Sequence, residues 1–461
     1  MALNTWFILF CALCAGGTLL LLAKPSRLYE YPYFMGAAFT AFILPQLFGL
    51  SLVRRAEDRM FSDVCMMAVL CYAACFIGYG LRISPWLVRW LNRVPHAAPG
   101  KLEEAVLTLA GVSFVFSVLI YRMPAEAKAG LWTGTVTKYL FFARLADLAF
   151  PLCLFVAIRY RRKAGWAAAA LSAAFPFSAV VFYGRREVAV RLAMSIAVVL
   201  FLTRRKAVPR WLLAAGILAA ALIIPAIGQY RKVAEKDPVA AARNLKPGEL
   251  WGKVAQGESG TEVQNAMYLI AGTKAREDYG LGRGYWNQIV FAFVPAQYLG
   301  MEFKRSLMLG EGPIADVVQV MEEGAGYRPG FGTTVTGLGD SFHQFGYAGP
   351  LVFFALGWFF RRLWWITYHS QSEVLGGLYA CLVPSAMKTV THWTQSFLPE
   401  LIYFTLFSGL VVWYSRIRVR RAGRNPGGVV VGWRSRSHGL GDGEKRAAVQ
   451  NPARRPGAVA G

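Results

Sequence analysis

Residues Thr5–Ala23 read TWFILFCALCAGGTLLLLA, an unbroken apolar run without a charged side chain. A helix of about 20 apolar residues crosses the hydrocarbon core of a bilayer, which is about 30 Å thick. The apolar residues are continuous rather than alternating, so they favour a membrane helix over a strand of a transmembrane barrel. No basic segment precedes the run and no clear small-residue cleavage site follows it, which favours a retained span over a signal peptide.

Similar runs recur along the chain and predict about eleven transmembrane helices, within a range of about 10 to 12. Besides Thr5–Ala23, the predicted spans are Tyr33–Val53, Val64–Leu81, Ala105–Tyr121, Leu140–Ile158, Gly165–Tyr183, Val188–Leu202, Trp211–Ile227, Tyr347–Ile366, Val374–Thr391 and Leu401–Tyr414. The sequence therefore predicts an all-α, polytopic integral membrane protein.

The composition agrees with this class and excludes several others. The chain has 461 residues, of which 56% are hydrophobic and only 16% charged, and its formal net charge is +24. Soluble globular proteins are about 45–50% apolar and about 25% charged. The composition thus argues against a soluble enzyme and a disordered protein, and the long apolar runs argue against a basic nucleic-acid-binding protein.

The order of the spans divides the chain into four regions. Residues 1–229 hold a first group of transmembrane helices, and residues 347–414 hold the C-terminal ones. Residues 230–346 are predicted to form one large extracytoplasmic loop. Within it, the apolar stretch Trp286–Leu299 is broken at Pro295 and is too short to span comfortably, so we expect a re-entrant or interfacial segment.

The fourth region, residues 415–461, is predicted to be a disordered basic tail. From Arg416 to Arg455 it has eleven basic residues against two acidic ones, with almost no core-forming pattern. Basic residues mark the cytoplasmic side of a membrane protein, so we expect a cytoplasmic C-terminus. Counting back through eleven spans places the basic turns Arg159–Lys163 and Arg204–Arg210 on that same side.

Three motifs carry a resemblance to a known family. They read FYGRREVAVRLA over Phe182–Ala193, GRGYWNQIVFAFVPAQYLGMEFKRS over Gly282–Ser306 and GFGTTVTGLGDSFHQFGYAGP over Gly330–Pro350. In their order and their position before a late span, they resemble the O-antigen (Wzy-type) polymerases, also called oligosaccharide repeat-unit polymerases. The resemblance covers Phe182–Phe353 by motif and the whole chain by architecture.

The resemblance implies a glycosyltransferase of the bacterial cytoplasmic (inner) membrane that polymerises repeat units into a surface polysaccharide. A sugar hydroxyl of one lipid-linked oligosaccharide would attack the anomeric carbon of another and displace a polyprenyl pyrophosphate. The implied partners are a polyprenyl-pyrophosphate-linked oligosaccharide and membrane lipids, with no nucleic acid, and the binding of a chain-length regulator is left open. Because the leaving group is already phosphorylated, no nucleotide or other cofactor is expected.

Arginine suits the binding of the leaving pyrophosphate, because its charged fork matches phosphate oxygens in pairs. Arg185 and Arg186 lie in a short turn on the predicted outer side, where basic residues are disfavoured. Alternatively, they are a snorkelling pair at a helix end or pair with Glu187. The other candidates lie in the large loop, where each is alternatively a plain solvent-exposed side chain: Arg231, Arg305 and Arg328.

Asp340 and His343 lie three residues apart before the ninth predicted span, and they share a face if that turn is helical. They are the predicted catalytic residues, with either one as the base that takes the proton of the attacking hydroxyl. Alternatively, Asp340 caps the following helix and His343 is a polar residue satisfied at the interface. His392, at another outer turn, is a weaker candidate. The spacing of the five histidines suggests no zinc site, so no metal is predicted.

Charged residues within the spans give two further predictions. Arg144 and Asp147 are three residues apart and are expected to form a salt bridge on one face of the fifth span. Arg191 is expected to form an ion pair inside the helix bundle. The seven cysteines all lie in apolar spans and are expected to be packing residues.

Three other functions stay open. An O-antigen ligase-like glycan transferase would share the architecture and the arginines, but would transfer glycan onto a lipid core. A polytopic transporter would use mid-membrane charges such as Arg144, Asp147 and Arg191. A scaffold protein would tolerate the loss of the outer arginines.

Overall fold

A computed structural model describes residues 4–53, 58–91, 97–124, 136–219, 261–310, 312–330 and 334–416. Across these ranges the regular structure is helical, and the β-structure of the described residues is limited to one isolated bridge between Ala97 and Arg416. The all-α class is therefore confirmed for the described part of the chain. The predicted tail, apart from its first two residues, and Arg231 lie outside the described ranges.

The helices of the first half are, in order, α1 (Thr5–Ala23), α2 (Tyr31–Ala38), α3 (Leu44–Val53), α4 (Asp58–Gly80), α5 (Pro85–Leu91), α6 (Pro99–Arg122), α7 (Val136–Ala143), α8 (Ala146–Arg159), α9 (Lys163–Tyr183), α10 (Arg186–Arg204) and α11 (Arg210–Ala219). Those of the second half are α12 (Thr261–Arg276), α13 (Arg283–Phe293), α14 (Ala296–Leu299), α15 (Met301–Ser306), α16 (Pro313–Ala325), α17 (Thr336–Phe345), α18 (Pro350–Ser370), α19 (Glu373–Thr391) and α20 (Phe397–Ser415). A π-helical turn, Phe39–Ile43, joins α2 to α3, and a 3-10 turn, Thr394–Ser396, precedes α20.

Eight helical segments within the described ranges are long and apolar enough to cross a membrane. They are Thr5–Ala23, Tyr31–Leu52, Arg59–Gly80, Pro99–Arg122, Val136–Arg159, Lys163–Tyr183, Glu373–Thr391 and Thr394–Ser415. Each overlaps a predicted span, and their length and composition indicate a multi-pass membrane protein.

The other three predicted spans fall outside this set for identifiable reasons. The helices α10 and α18 have 19 and 21 residues, but charged side chains interrupt their apolar runs. These are Arg186, Glu187 and Arg191 in α10, and Arg361 and Arg362 in α18. The run Trp211–Ile227 is described only as far as Ala219. The number of eleven spans therefore stays a prediction.

Glycines bring the backbones of α4 and α18 into close contact. A Cβ atom on Gly78 would lie 2.1 Å from Phe354 O, and one on Gly357 would lie 2.8 Å from Cys75 O. Small residues permit such approach in membrane helices, whose association gains little from the hydrophobic effect. The cysteines are all free and six of the seven are buried, as expected of packing residues.

One end of the bundle gathers helix ends rich in basic residues. Arg159, at the end of α8, pairs with Glu373 at the start of α19, 3.1 Å away. Arg205, directly after α10, donates a hydrogen bond to Tyr368 O near the end of α18. We call this the basic end, and its cations include Arg159, Arg161, Arg162, Lys163, Arg204, Arg205 and Lys206.

The helices α12–α17, which we call the lobe, contact the opposite ends of the same long helices. Arg186, at the start of α10, pairs with Glu262 of α12. Thr391 O, at the end of α19, accepts a hydrogen bond from the Thr334 hydroxyl. The predicted break at Pro295 is confirmed, because it falls between α13 and α14. Whether that segment enters a membrane stays a prediction.

Candidate functional site

Arg186 links the bundle to the lobe. Its guanidinium nitrogen Nη2 lies 2.8 Å from Glu262 Oε1, and its Cζ lies 5.0 Å from the centroid of the Phe42 ring. Arg185 is exposed at the N-cap position of α10. The alternative partner suggested by the sequence, Glu187, pairs with Arg191 instead. Both predicted arginines thus lie at the lobe end of α10.

The other predicted arginines are dispersed. Arg305 is exposed in the last turn of α15. Arg328 follows α16, has 83% of its side chain exposed, and pairs with Glu322 at 3.0 Å. Arg231 lies outside the described residues. Among the predicted arginines that are described, only Arg185 and Arg186 adjoin one another.

Asp340 lies in α17 and is fully buried. Its carboxylate accepts hydrogen bonds from the backbone N–H groups of Thr394 and Gln395 and from the side chains of the same two residues. Burial raises the pKa of the Asp340 carboxyl above its ordinary value. The alternative prediction, that Asp340 caps the start of the ninth predicted span, is wrong. Asp340 holds the turn before α20, whereas Gly349 is the N-cap of α18.

His343 lies one turn further along α17 and is also fully buried. Its Nδ1 lies 3.2 Å from Thr273 Oγ1 of α12, and its Nε2 lies 3.3 Å from Asp316 Oδ2 of α16. The hydrogen bond with His343 lowers the pKa of the Asp316 carboxyl. His343 therefore ties α17 to two other helices of the lobe.

The predicted helical turn that carries Asp340 and His343 is confirmed by α17, but the two side chains bond to different partners. A hydrogen-bond chain reaches Asp340 from α13, because the Tyr285 hydroxyl lies 2.6 Å from Thr394 Oγ1. Asp340 is fully buried, so a substrate would reach its carboxylate only after the residues around it moved. Within the described ranges, no three His, Cys, Asp or Glu side chains are grouped so as to hold a metal ion.

Six charged side chains form a second polar centre inside the bundle, which we call the charged cluster: Arg144, Asp147, Glu187, Arg191, Lys388 and Glu400. Arg191 pairs with Asp147 and Glu187, which confirms its predicted role in an internal ion pair. The predicted Arg144–Asp147 salt bridge is wrong, since Arg144 pairs with Glu400 at 2.6 Å. A turn separates α7 from α8 at Arg144, so the three-residue spacing does not fall on a regular helix.

Lys388 completes the charged cluster from the last turn of α19. Its Nζ lies 3.2 Å from Glu187 Oε1 and 3.5 Å from Glu400 Oε1. The three cations therefore face three carboxylates. Sequence reasoning missed Lys388 and Glu400, although a lysine within the predicted span Val374–Thr391 was a usable signal, because intramembrane charges mark paired or functional sites.

His392 follows α19 beside the charged cluster. Its Nδ1 lies 2.8 Å from Thr391 Oγ1. Burial, followed by the positive charge of Lys388, lowers the pKa of His392 from 6.5 to about 4. The imidazole is therefore neutral at neutral pH.

No protein-family model, curated protein or solved structure matches this chain. The likeness to O-antigen polymerases accordingly rests on the three sequence motifs and the pattern of spans.

Proposed function

We propose that this chain is a membrane glycosyltransferase that polymerises polyprenyl-pyrophosphate-linked oligosaccharide repeat units into a surface polysaccharide. The proposal rests on the motif resemblance and on a bundle whose two ends differ in charge and in structure. In this proposal the protein lies in the bacterial inner membrane with eleven spans.

Orientation follows from the distribution of basic residues. Cytoplasmic loops of membrane proteins carry an excess of Lys and Arg. The basic end would therefore face the cytoplasm, together with the C-terminus, and the lobe would face outward. The lipid-linked substrates of the proposed reaction would be bound at the lobe.

One observation supports this function most directly: Arg185 and Arg186 adjoin one another at the lobe end, away from the basic end. Their position runs against the bias that places arginine in the cytoplasm, so an anionic ligand is a physical reason for them. The pyrophosphate of the donor lipid supplies such a ligand. Arg231, Arg305 and Arg328 are proposed as further contacts along the large loop.

The reaction transfers a glycosyl group to a hydroxyl. The acceptor oxygen forms a bond to the anomeric carbon, the bond from that carbon to the pyrophosphate oxygen breaks, and its electron pair leaves with the polyprenyl pyrophosphate. The hydroxyl proton passes to the base, which is proposed to be Asp340 or His343. Arginines stabilise the charge that develops on the leaving group. Because both candidate bases are buried, the proposal requires the lobe to open around α17 when substrate binds.

Single substitutions in cells test this function. Arg185→Ala, Arg186→Ala, Arg328→Ala and His343→Gln are introduced singly into a strain that lacks the native gene, and the length of the surface glycan is measured. If the protein is a polymerase, the inactive variants are expected to carry single repeat units on the lipid core. If it is a ligase, they are expected to accumulate polymer that is not attached to the core. Arg162→Ala, at the basic end, is the matched control and keeps long chains. Long chains in every variant would refute the polymerase mechanism.

The charged cluster is a specific observation that favours a second candidate, a transporter. Its six charges lie within or beside membrane-length helices, where transporters bind ions or protons. A transporter would lose transport when Asp147 or Glu400 is neutralised, while glycan length would not depend on Arg185 or Arg186.

A further inference from the structure

The carboxylate of Glu187 is shared by two cations from different helices. Glu187 lies in the first turn of α10, 2.8 Å from Arg191 Nη2 and 3.2 Å from Lys388 Nζ of α19. The side chains of Arg191 and Lys388 are only 11% and 20% exposed. The two cations thus converge on one anionic group in a partly dehydrated setting, where charges interact more strongly than in water.

Glu187 differs from the other two carboxylates of the charged cluster in its exposure. Its side chain is 32% exposed, compared with 17% for Asp147 and 5% for Glu400. Asp147 and Glu400 hold Arg191 and Arg144 from inside the bundle. Glu187 is therefore the most exposed carboxylate of the charged cluster, and it lies in the first turn of α10, at the lobe end.

We propose that Glu187 occupies a binding subsite for a pyrophosphate group, and that the ligand binds by displacing this carboxylate from Lys388 and Arg191. The proposal rests on the proposed function and extends it, because neither Lys388 nor Glu187 is among the predicted contacts. Phosphate oxygens accept the same charge-assisted hydrogen bonds from Lys and Arg as a carboxylate does.

The geometry explains how the subsite keeps its shape when Glu187 leaves. Arg191 stays fixed by Asp147, and Lys388 keeps Glu400 as a partner at 3.5 Å. The displaced side chain remains in the first turn of α10, where a negative charge is favourable. It also lies next to Arg185 and Arg186 in the chain, so its charge stays near cations at the lobe end.

Binding of inorganic pyrophosphate to the purified full chain in detergent tests the subsite. Glu187→Gln removes the competing charge, so pyrophosphate is expected to bind about tenfold more tightly than to the wild type, a change of about 1.4 kcal/mol. Lys388→Met is expected to weaken binding about tenfold. Glu103→Gln and Lys274→Met alter paired residues elsewhere and are expected to leave the affinity unchanged.

Lys388→Met can impair folding, since it leaves Glu400 with fewer partners. Unliganded thermal unfolding is therefore recorded, and Lys388→Arg, which keeps the charge, is expected to bind pyrophosphate within about threefold of the wild type. Weaker or unchanged binding in Glu187→Gln, or an absence of saturable binding in all variants, overturns the subsite.

Competition identifies the source of the pyrophosphate group. If farnesyl pyrophosphate displaces inorganic pyrophosphate, the subsite binds a lipid headgroup. If it does not, the subsite binds the free ion. The two proposals fail separately. If the arginine variants carry short glycans but Glu187→Gln leaves pyrophosphate binding unchanged, only the subsite is refuted. Binding that responds to Glu187, with glycan length unaffected, refutes only the polymerase.

Discussion

The ion pair between Arg186 and Glu262 joins the bundle to the lobe, with 2.8 Å between Arg186 Nη2 and Glu262 Oε1. The two residues are 76 positions apart in the chain, and Val263, the neighbour of Glu262, donates its backbone N–H to Gln46 Oε1 in α3. The start of α12 is thereby held against α3 and α10 together.

Breaking this pair is expected to loosen the lobe. Arg186→Ala and Glu262→Ala should each destabilise the protein, and a double-mutant cycle should give a coupling energy of about 1 kcal/mol, as for a partly exposed ion pair. Thermal or denaturant unfolding in detergent measures the coupling. A coupling energy of zero would mean that the ion pair contributes nothing to the attachment of the lobe.

Asp340→Asn is expected to be strongly destabilising. The carboxylate accepts four hydrogen bonds in a fully buried position. The amide N–H groups of an Asn side chain there would point at the N–H and O–H groups that now donate to the carboxylate. The expected loss is about 3 kcal/mol, measured by chemical unfolding. Asp278→Asn is the matched control, because its pair with Arg283 is more than one-third exposed on both sides, and its effect should be close to zero. A loss similar to the control would contradict the structural role of Asp340.

Gly78→Ala is expected to separate α4 from α18. The new methyl group would lie 2.1 Å from the backbone oxygen of Phe354, which cannot move aside as the end of a flexible side chain could. Overpacking of this kind costs about 1–3 kcal/mol. Gly16→Ala in α1 is the control, since a Cβ there meets nothing within 4 Å. Equal melting temperatures for the two variants would refute the close approach of the two helices.

Acid is expected to destabilise the protein through His392. Its pKa is about 4 in the folded chain and 6.5 ordinarily, so the unfolded chain takes up the proton first as the pH falls. The contribution of His392 to stability is therefore complete above pH 6.5 and is lost as the pH falls toward about 4. Melting temperatures across this range should fall less steeply in His392→Gln than in the wild type. The exposed His369 supplies the control variant, His369→Gln, and identical profiles for all three proteins would exclude this role.

The spans were predictable because the local hydrophobicity of a segment determines whether it can cross a membrane. Continuous apolar runs such as Thr5–Ala23 need no knowledge of the rest of the chain. The helical turn at Asp340 and His343 and the break at Pro295 were likewise visible as local patterns.

The pairing of charges was not predictable, since it depends on which helices are neighbours. Spacing suggested Arg144 with Asp147, yet Arg144 meets Glu400, a residue 256 positions away. Arg186 likewise meets Glu262 rather than its sequence neighbour Glu187. In a bundle, a charged residue takes the partner that packing brings to it, and a single sequence does not contain that arrangement.

Polymerase activity is tested most directly by elongation of the lipid-linked substrate with the purified protein. Cells that lack the gene supply the polyprenyl-pyrophosphate-linked repeat unit, which is incubated with the protein in lipid vesicles without nucleotide sugars. A polymerase is expected to produce a ladder of glycan lengths and to release one polyprenyl pyrophosphate for each linkage formed, and Arg186→Ala is expected to lose both. Unchanged single repeat units with the folded wild-type protein would contradict polymerase activity.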